Sequence, residues 1–201
     1  MQLFYSQTSP FARKVTMFLN YTGLVNDCEL VLCSFSSEEL RKHNPLGKIP
    51  ALRNGDLTLF DSELILEYLD DLWTVNGNLS LLRRGSRFYY AERKAAMTAN
   101  GILDAAVSSM FEKKRDTQPS DYWLERWREA IEQGLDQLQL EHCGSAEKPS
   151  MSSFCLASAL GYLDFRHPDL NWRQSRPELE QWFEAISASS WFIDTAPPAS
   201  A

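Results

Sequence analysis

At 201 residues with a net charge of −7, the chain is long enough for one large or two small domains with a sizeable buried core. Its 44% apolar and 23% charged content is that of a soluble globular protein, and the acidic balance without any basic run argues against a nucleic-acid surface. The opening Met1-Gln2-Leu3-Phe4-Tyr5-Ser6 has no basic region leading into an apolar one, and no apolar run reaches the length of a membrane span. The cytoplasm is therefore the expected compartment. Cys28, Cys33, Cys143 and Cys155 form no Cys-x-x-Cys pair and none stands at zinc spacing from a histidine, so they read as reduced, mostly packing thiols with no metal site.

In chain order, residues 2–5 read as a short strand. Residues 10–23 read as an amphipathic helix, with Val15, Phe18, Leu19 and Thr22 recurring at spacings of three and four. Pro10 sits at the favoured first helical position and Gly23 at the stop. Cys28 to Cys33 alternates as a strand does, and Ser36 to Lys42 is a short helical patch. Ile49 to Arg53 and Leu57 to Phe60 flank Asn54-Gly55-Asp56, a strong hairpin signal. Asp61 and Ser62 then cap a helix with the apolar face Leu64, Ile65, Tyr68, Leu69 and Leu72. The order β-α-β-α-β-β-α is followed by a polar linker over residues 74–80.

Beyond residue 80 no strand pattern survives. Arg83 to about Glu112 and Tyr122 to Glu141 read as two long helices, with a break at His142-Cys143-Gly144-Ser145. Ser150 to Phe165 is apolar on nearly every side and should be a central helix. Arg176 to Ser187 is a last amphipathic helix, and the tail Pro197 to Ala201 is expected to be disordered. The fold class is α+β, a mixed N-terminal domain over 1–73 followed by an all-α helical bundle over 81–194.

Three polar turns carry the chemical interest. Ser9 precedes Pro10 at a helix start, where a serine oxygen serves as an N-cap. The same helix end favours an anion, through its open N–H groups and dipole. Tyr5, Ser6 and Thr8 offer competing hydroxyls, Thr8 the strongest. Pro50, in Asn44-Pro45-Leu46-Gly47-Lys48-Ile49-Pro50, either caps a strand or sits in a cis turn that presents neighbouring backbone to a ligand. Asp61 and Ser62 are a second cap. Arg13 and Lys14, near a helix N-terminus that disfavours cations, face solvent or the second domain and are left unassigned.

The trio Ser9-Pro10-Phe11-Ala12-Arg13-Lys14-Val15, Ile49-Pro50 and Asp61-Ser62-Glu63, in this order, resembles the glutathione S-transferase family, and the first domain is similar to thioredoxin-like domains. Ala159-Leu160-Gly161-Tyr162-Leu163 with Arg176-Pro177-Glu178-Leu179 is similar to bacterial members, so the resemblance spans nearly the whole chain. It implies a cis Pro50, with the main chain of Ile49 pairing with the cysteinyl unit of glutathione. It also implies that Ser62 receives the γ-glutamyl carboxylate, Asp61 its ammonium, and Lys48 or His43 the glycine carboxylate. Ser9 would donate a hydrogen bond to the glutathione sulfur. Where thioredoxin-like redox proteins carry Cys-x-x-Cys, this chain has Ser9-Pro10-Phe11-Ala12, so the thiol must come from the ligand. The family usually has Glu or Gln in place of Asp61, and Asp in place of Ser153, which predicts a weaker cap on the helix that Ser150 opens.

The function so implied is a glutathione transferase that activates the glutathione thiol for attack on a small electrophile, with glutathione as co-substrate. Met97, Gly101, Ala105, Ser108 and Met110 either line the electrophile pocket or serve packing. A homodimer is expected by the same resemblance. The alternatives are a non-catalytic glutathione- or protein-binding scaffold of the same fold, or glutathione-dependent peroxidase or isomerase activity.

Overall fold

Strand β1 (Gln2–Tyr5) lies inside a four-stranded sheet of order β2-β1-β3-β4, in a computed structural model that describes residues 1–198. It pairs in parallel with β2 (Glu29–Leu32) and antiparallel with β3 (Ala51–Asn54), which pairs antiparallel with β4 (Leu57–Phe60). Both Leu3 and Phe4 are buried. Successive strand side chains point to opposite faces, so both faces of the sheet are covered here. Edge strand β2 is mostly exposed, with Leu30 and Leu32 at the surface. The β3–β4 register pairs Asn54 with Leu57, leaving Gly55-Asp56 as a two-residue turn with Gly55 at φ +60°.

Helix α1 (Pro10–Thr22) is capped by Ser9 and stopped by Gly23 in the left-handed conformation. It packs beside α3 (Ser62–Val75), while the short α2 (Glu38–His43) lies against β3. Phe4, Ala12, Leu40, Ile49 and Ala51 form one buried cluster, with Phe60 and Cys33 packed on it. The α+β first unit comprises Met1–Gly85 together with the chain from Ala188 onward, where the short α8 (Ser190–Ile193) returns to α1. Its Trp191 is buried, edge-on to Tyr21.

The second unit, Ser86–Ser187, is all-helical. Helix α4 (Tyr89–Lys113) packs on α5 (Asp121–Asp136) and α6 (Met151–Arg166), and α6 packs on α7 (Pro177–Ser187). Every residue of α6 from Met151 to Leu163 is buried, as its uniform apolarity predicts. Helix α4 starts at Tyr89 rather than Arg83. The Asp70 carboxylate instead takes the Ser80 hydroxyl and the Leu81 N–H, and Arg83 turns left-handed at φ +49°. The tail expected to be disordered lies, from Ala199 on, outside the described residues. No helix among the described residues is long and apolar enough to cross a membrane.

Ser153 occupies the position of the expected acidic cap. Its hydroxyl accepts the Ser150 N–H at 2.9 Å and donates to the Cys143 carbonyl. Ser152 donates to the His142 carbonyl at 2.7 Å. Serine thus joins the helix start to the preceding loop, a link that a carboxylate, having no proton to donate, does not make.

Candidate active site

One sheet row sets the geometry. Phe4 pairs with Ala51, and Ala51 with Phe60. The chain leaving β1 toward Ser9, the chain entering β3 through Ile49–Pro50, and the chain leaving β4 into Asp61–Ser62 therefore all meet at one end of the sheet. Lys14 in α1 and Glu63 in α3 tie the starts of these two helices together with a 2.7 Å ion pair. Lys14 is 0% exposed, so it does not face solvent; the apolar periodicity of α1 did not predict a buried lysine, and its partner lies 49 residues away.

At the first turn, Ser9 is 8% exposed. Its hydroxyl oxygen accepts the Ala12 N–H at 3.3 Å, and its carbonyl takes the Arg13 N–H. A hydroxyl has one donor and two acceptor sites, so capping leaves the Ser9 proton free to donate. The Phe11 N–H has no acceptor among the described residues. Helix end and hydroxyl proton together are suited to a sulfur anion. Thr8, the rival hydroxyl, lies 3.2 Å from the Ser6 hydroxyl. Tyr5 lines a separate cavity beside α1 and α8.

At the second segment the Ile49–Pro50 bond is cis. The antiparallel ladder ends at the Phe4–Ala51 pair, and no described residue bonds the N–H or C=O of Ile49. Its side chain is buried in the Phe4 cluster, so the main chain is held rigid while its polar groups stay available. Asn44, 1% exposed, shapes the approach: its amide donates to the Lys48 carbonyl at 2.8 Å and accepts the Leu46 N–H at 2.9 Å. A buried asparagine bonded through both ends of its amide was legible in the motif only as a turn residue. Lys48 is exposed, with no ion pair to a described residue. His43 stacks on Phe4 at 4.6 Å and lies 3.3 Å from Glu39.

At the third segment Asp61 caps α3, accepting the Glu63 N–H at 2.8 Å from φ +74°, ψ 123°. That conformation is rare for a residue with a Cβ and tends to collect at ligand-binding turns. Ser62 is buried beneath it, and among the described residues nothing bonds its hydroxyl or its N–H. A helix N-terminus with an open hydroxyl and N–H has the chemistry to receive a carboxylate.

Family profiles described as "Glutathione S-transferase, N-terminal domain" and "Glutathione S-transferase, C-terminal domain" match residues 8–72 and 121–185. The GST-like protein YibF of Escherichia coli K12 is 32% identical over 204 residues, covering 98% of this chain and 99% of its own. The chain belongs to the glutathione S-transferase family. Among solved structures it is similar to a glutathione transferase family member from Pseudomonas fluorescens Pf-5 with bound glutathione, at TM-score 0.90 and 36% identity over 98% of each chain. A glutathione S-transferase from Methylobacillus flagellatus KT, with glutathione bound, matches at TM-score 0.85 and 32% identity over 98% of this chain and 99% of that one.

None of the four cysteines forms a disulfide, and burial pushes Cys28 up to about 11, Cys143 up to about 12, and Cys33 upward as well. None of these three is poised as a thiolate near neutral pH. Of the α4 residues considered for an electrophile pocket, Ala105 is buried, Met97 and Gly101 are exposed, and Ser108 and Met110 are half-buried.

Proposed function

We propose that the protein is a glutathione transferase. Glutathione lies across the sheet end, with the Ile49 main chain pairing with its cysteinyl unit. Ser62 and the α3 N-terminus receive the γ-glutamyl carboxylate, Asp61 the ammonium and Lys48 the glycine carboxylate. The Ser9 proton, with the first turn of α1, stabilises the glutathione thiolate. The thiolate forms a carbon–sulfur bond to a small electrophile, and a leaving group departs with the bonding electrons or the adduct takes up a proton. The observation that carries the reading is the Phe4–Ala51–Phe60 row, which brings the three segments to one place. The glutathione-bound relatives support the choice of thiol. A cytoplasmic homodimer is part of the proposal; light scattering that finds a monomer overturns the dimer.

The test is an ultraviolet difference spectrum of the protein with glutathione at neutral pH. A saturable thiolate band supports binding with activation. Absence of the band leaves Ser9 as a cap and favours a scaffold role.

A further inference from the structure

A cavity of about 100 Å³ in the first unit is lined by Tyr5, Gln7, Arg13, Thr16, Asn20 and Asp194, among others. Arg13 is 8% exposed. Its Nη2 donates to the Phe192 carbonyl at 3.3 Å, and its guanidinium lies 4.1 Å from the Phe192 ring centre. Those contacts leave most of its five N–H groups without an acceptor: Nε is buried and unpartnered, and among the described residues Nη1 has no acceptor and no carboxylate lies within ion-pair distance. Burial lowers its pKa to about 10, so it stays charged near neutrality. A buried charge left uncompensated is costly, and evolution of a soluble core would replace it with an apolar side chain unless something else answers the charge. The Tyr5 hydroxyl and the Gln7 amide, also without partners among the described residues, border the same space.

We propose that this cavity binds a small oxyanion, of carboxylate or phosphate type, with Arg13 as its principal anchor. The planar guanidinium suits such a ligand through paired N–H···O bonds, and the volume admits a few heavy atoms rather than a peptide. Asp194 opposes the anion and sets a modest affinity. The site is separate from the glutathione site, yet Ser6 also lines it, and the Ser6 carbonyl accepts the Ser9 N–H.

The test is thermal stabilisation of the full chain by inorganic phosphate and by acetate, each against sodium chloride at matched ionic strength. We expect saturable stabilisation by at least one of them. Arg13→Gln abolishes it. Asp194→Asn, at an exposed position where the fold is retained, tightens it by about threefold or more, as removal of a bordering like charge does. Ser9→Ala leaves it unchanged, which separates this cavity from the proposed thiol site. Stabilisation no greater than with sodium chloride, an unchanged Asp194→Asn, or loss in Ser9→Ala overturns the proposal. Phosphate acting alone identifies the phosphate source of the chemistry, and acetate acting alone the carboxylate source.

Discussion

Replacing Ser9 separates two roles that one oxygen atom combines. The hydroxyl caps α1 through a 3.3 Å bond from the Ala12 N–H, and loss of such a cap to alanine costs about 1 kcal/mol, to glycine only a few tenths. The donated proton concerns the bound thiol alone. A hydrogen bond to a charged group is worth about 1.5–3 kcal/mol, and each pKa unit corresponds to about 1.36 kcal/mol. Removing it therefore raises the pKa of bound glutathione by about one to two units. The helix end and the Phe11 N–H remain. The assay is the pH titration of the thiolate absorbance at saturating glutathione for the wild type, Ser9→Ala and Ser9→Gly, alongside urea unfolding. Both variants should show the raised thiol pKa, but only Ser9→Ala should lose close to 1 kcal/mol of stability. If Ser9→Gly titrates like the wild type, Ser9 is a cap only; if Thr8→Val moves the titration instead, Thr8 is the donor.

Three further outcomes follow from the structure. Glu63→Gln removes the charge paired at 2.7 Å with the buried Lys14 ammonium and should cost about 3 kcal/mol, more than Lys14→Met, which takes the deeper charge out of the core and keeps a partly exposed carboxylate; equal, sub-kilocalorie losses in urea unfolding would remove this pair from the account of how the helix starts are held. Gly144→Ala should cost about 3 kcal/mol, because Gly144 has φ +69° and an added Cβ would meet Ser153 Oγ at 2.6 Å and Ser150 N at 2.7 Å; a variant with wild-type thermal stability refutes the close packing of the loop before α6. His167 is buried, its Nε2 bonded to the Ala106 carbonyl, and burial lowers its pKa below the ordinary 6.5. The unfolded chain then binds the proton more readily, so this stability is full above pH 6.5 and is lost as pH falls toward the folded-state value; His167→Gln should flatten that part of the urea-midpoint profile relative to the wild type.

The sequence by itself carried the local order of this protein. Ser9-Pro10 and Gly23 bound α1 because caps and stops depend on residues within one turn, and Asn54-Gly55-Asp56 marked the hairpin for the same reason. The apolar run after Ser150 announced a buried helix, since uniform apolarity has no exposed face to offer. The sequence pattern places the start of α4 at Arg83, but the Asp70 side chain, reaching across to Ser80 and Leu81, outweighs local helical propensity. Arg13 and Lys14 read from the sequence as facing solvent or the second domain, without an assigned role. Burying them requires an answer to each charge from elsewhere: Glu63 provides it for Lys14, while Arg13 rests on the ring and carbonyl of Phe192, 179 residues distant. The meeting of Ser9, Ile49 and Ser62 at one sheet end was likewise decided by strand register. Register is a property of the assembled sheet, because pairing energies arise between strands and not within any of them.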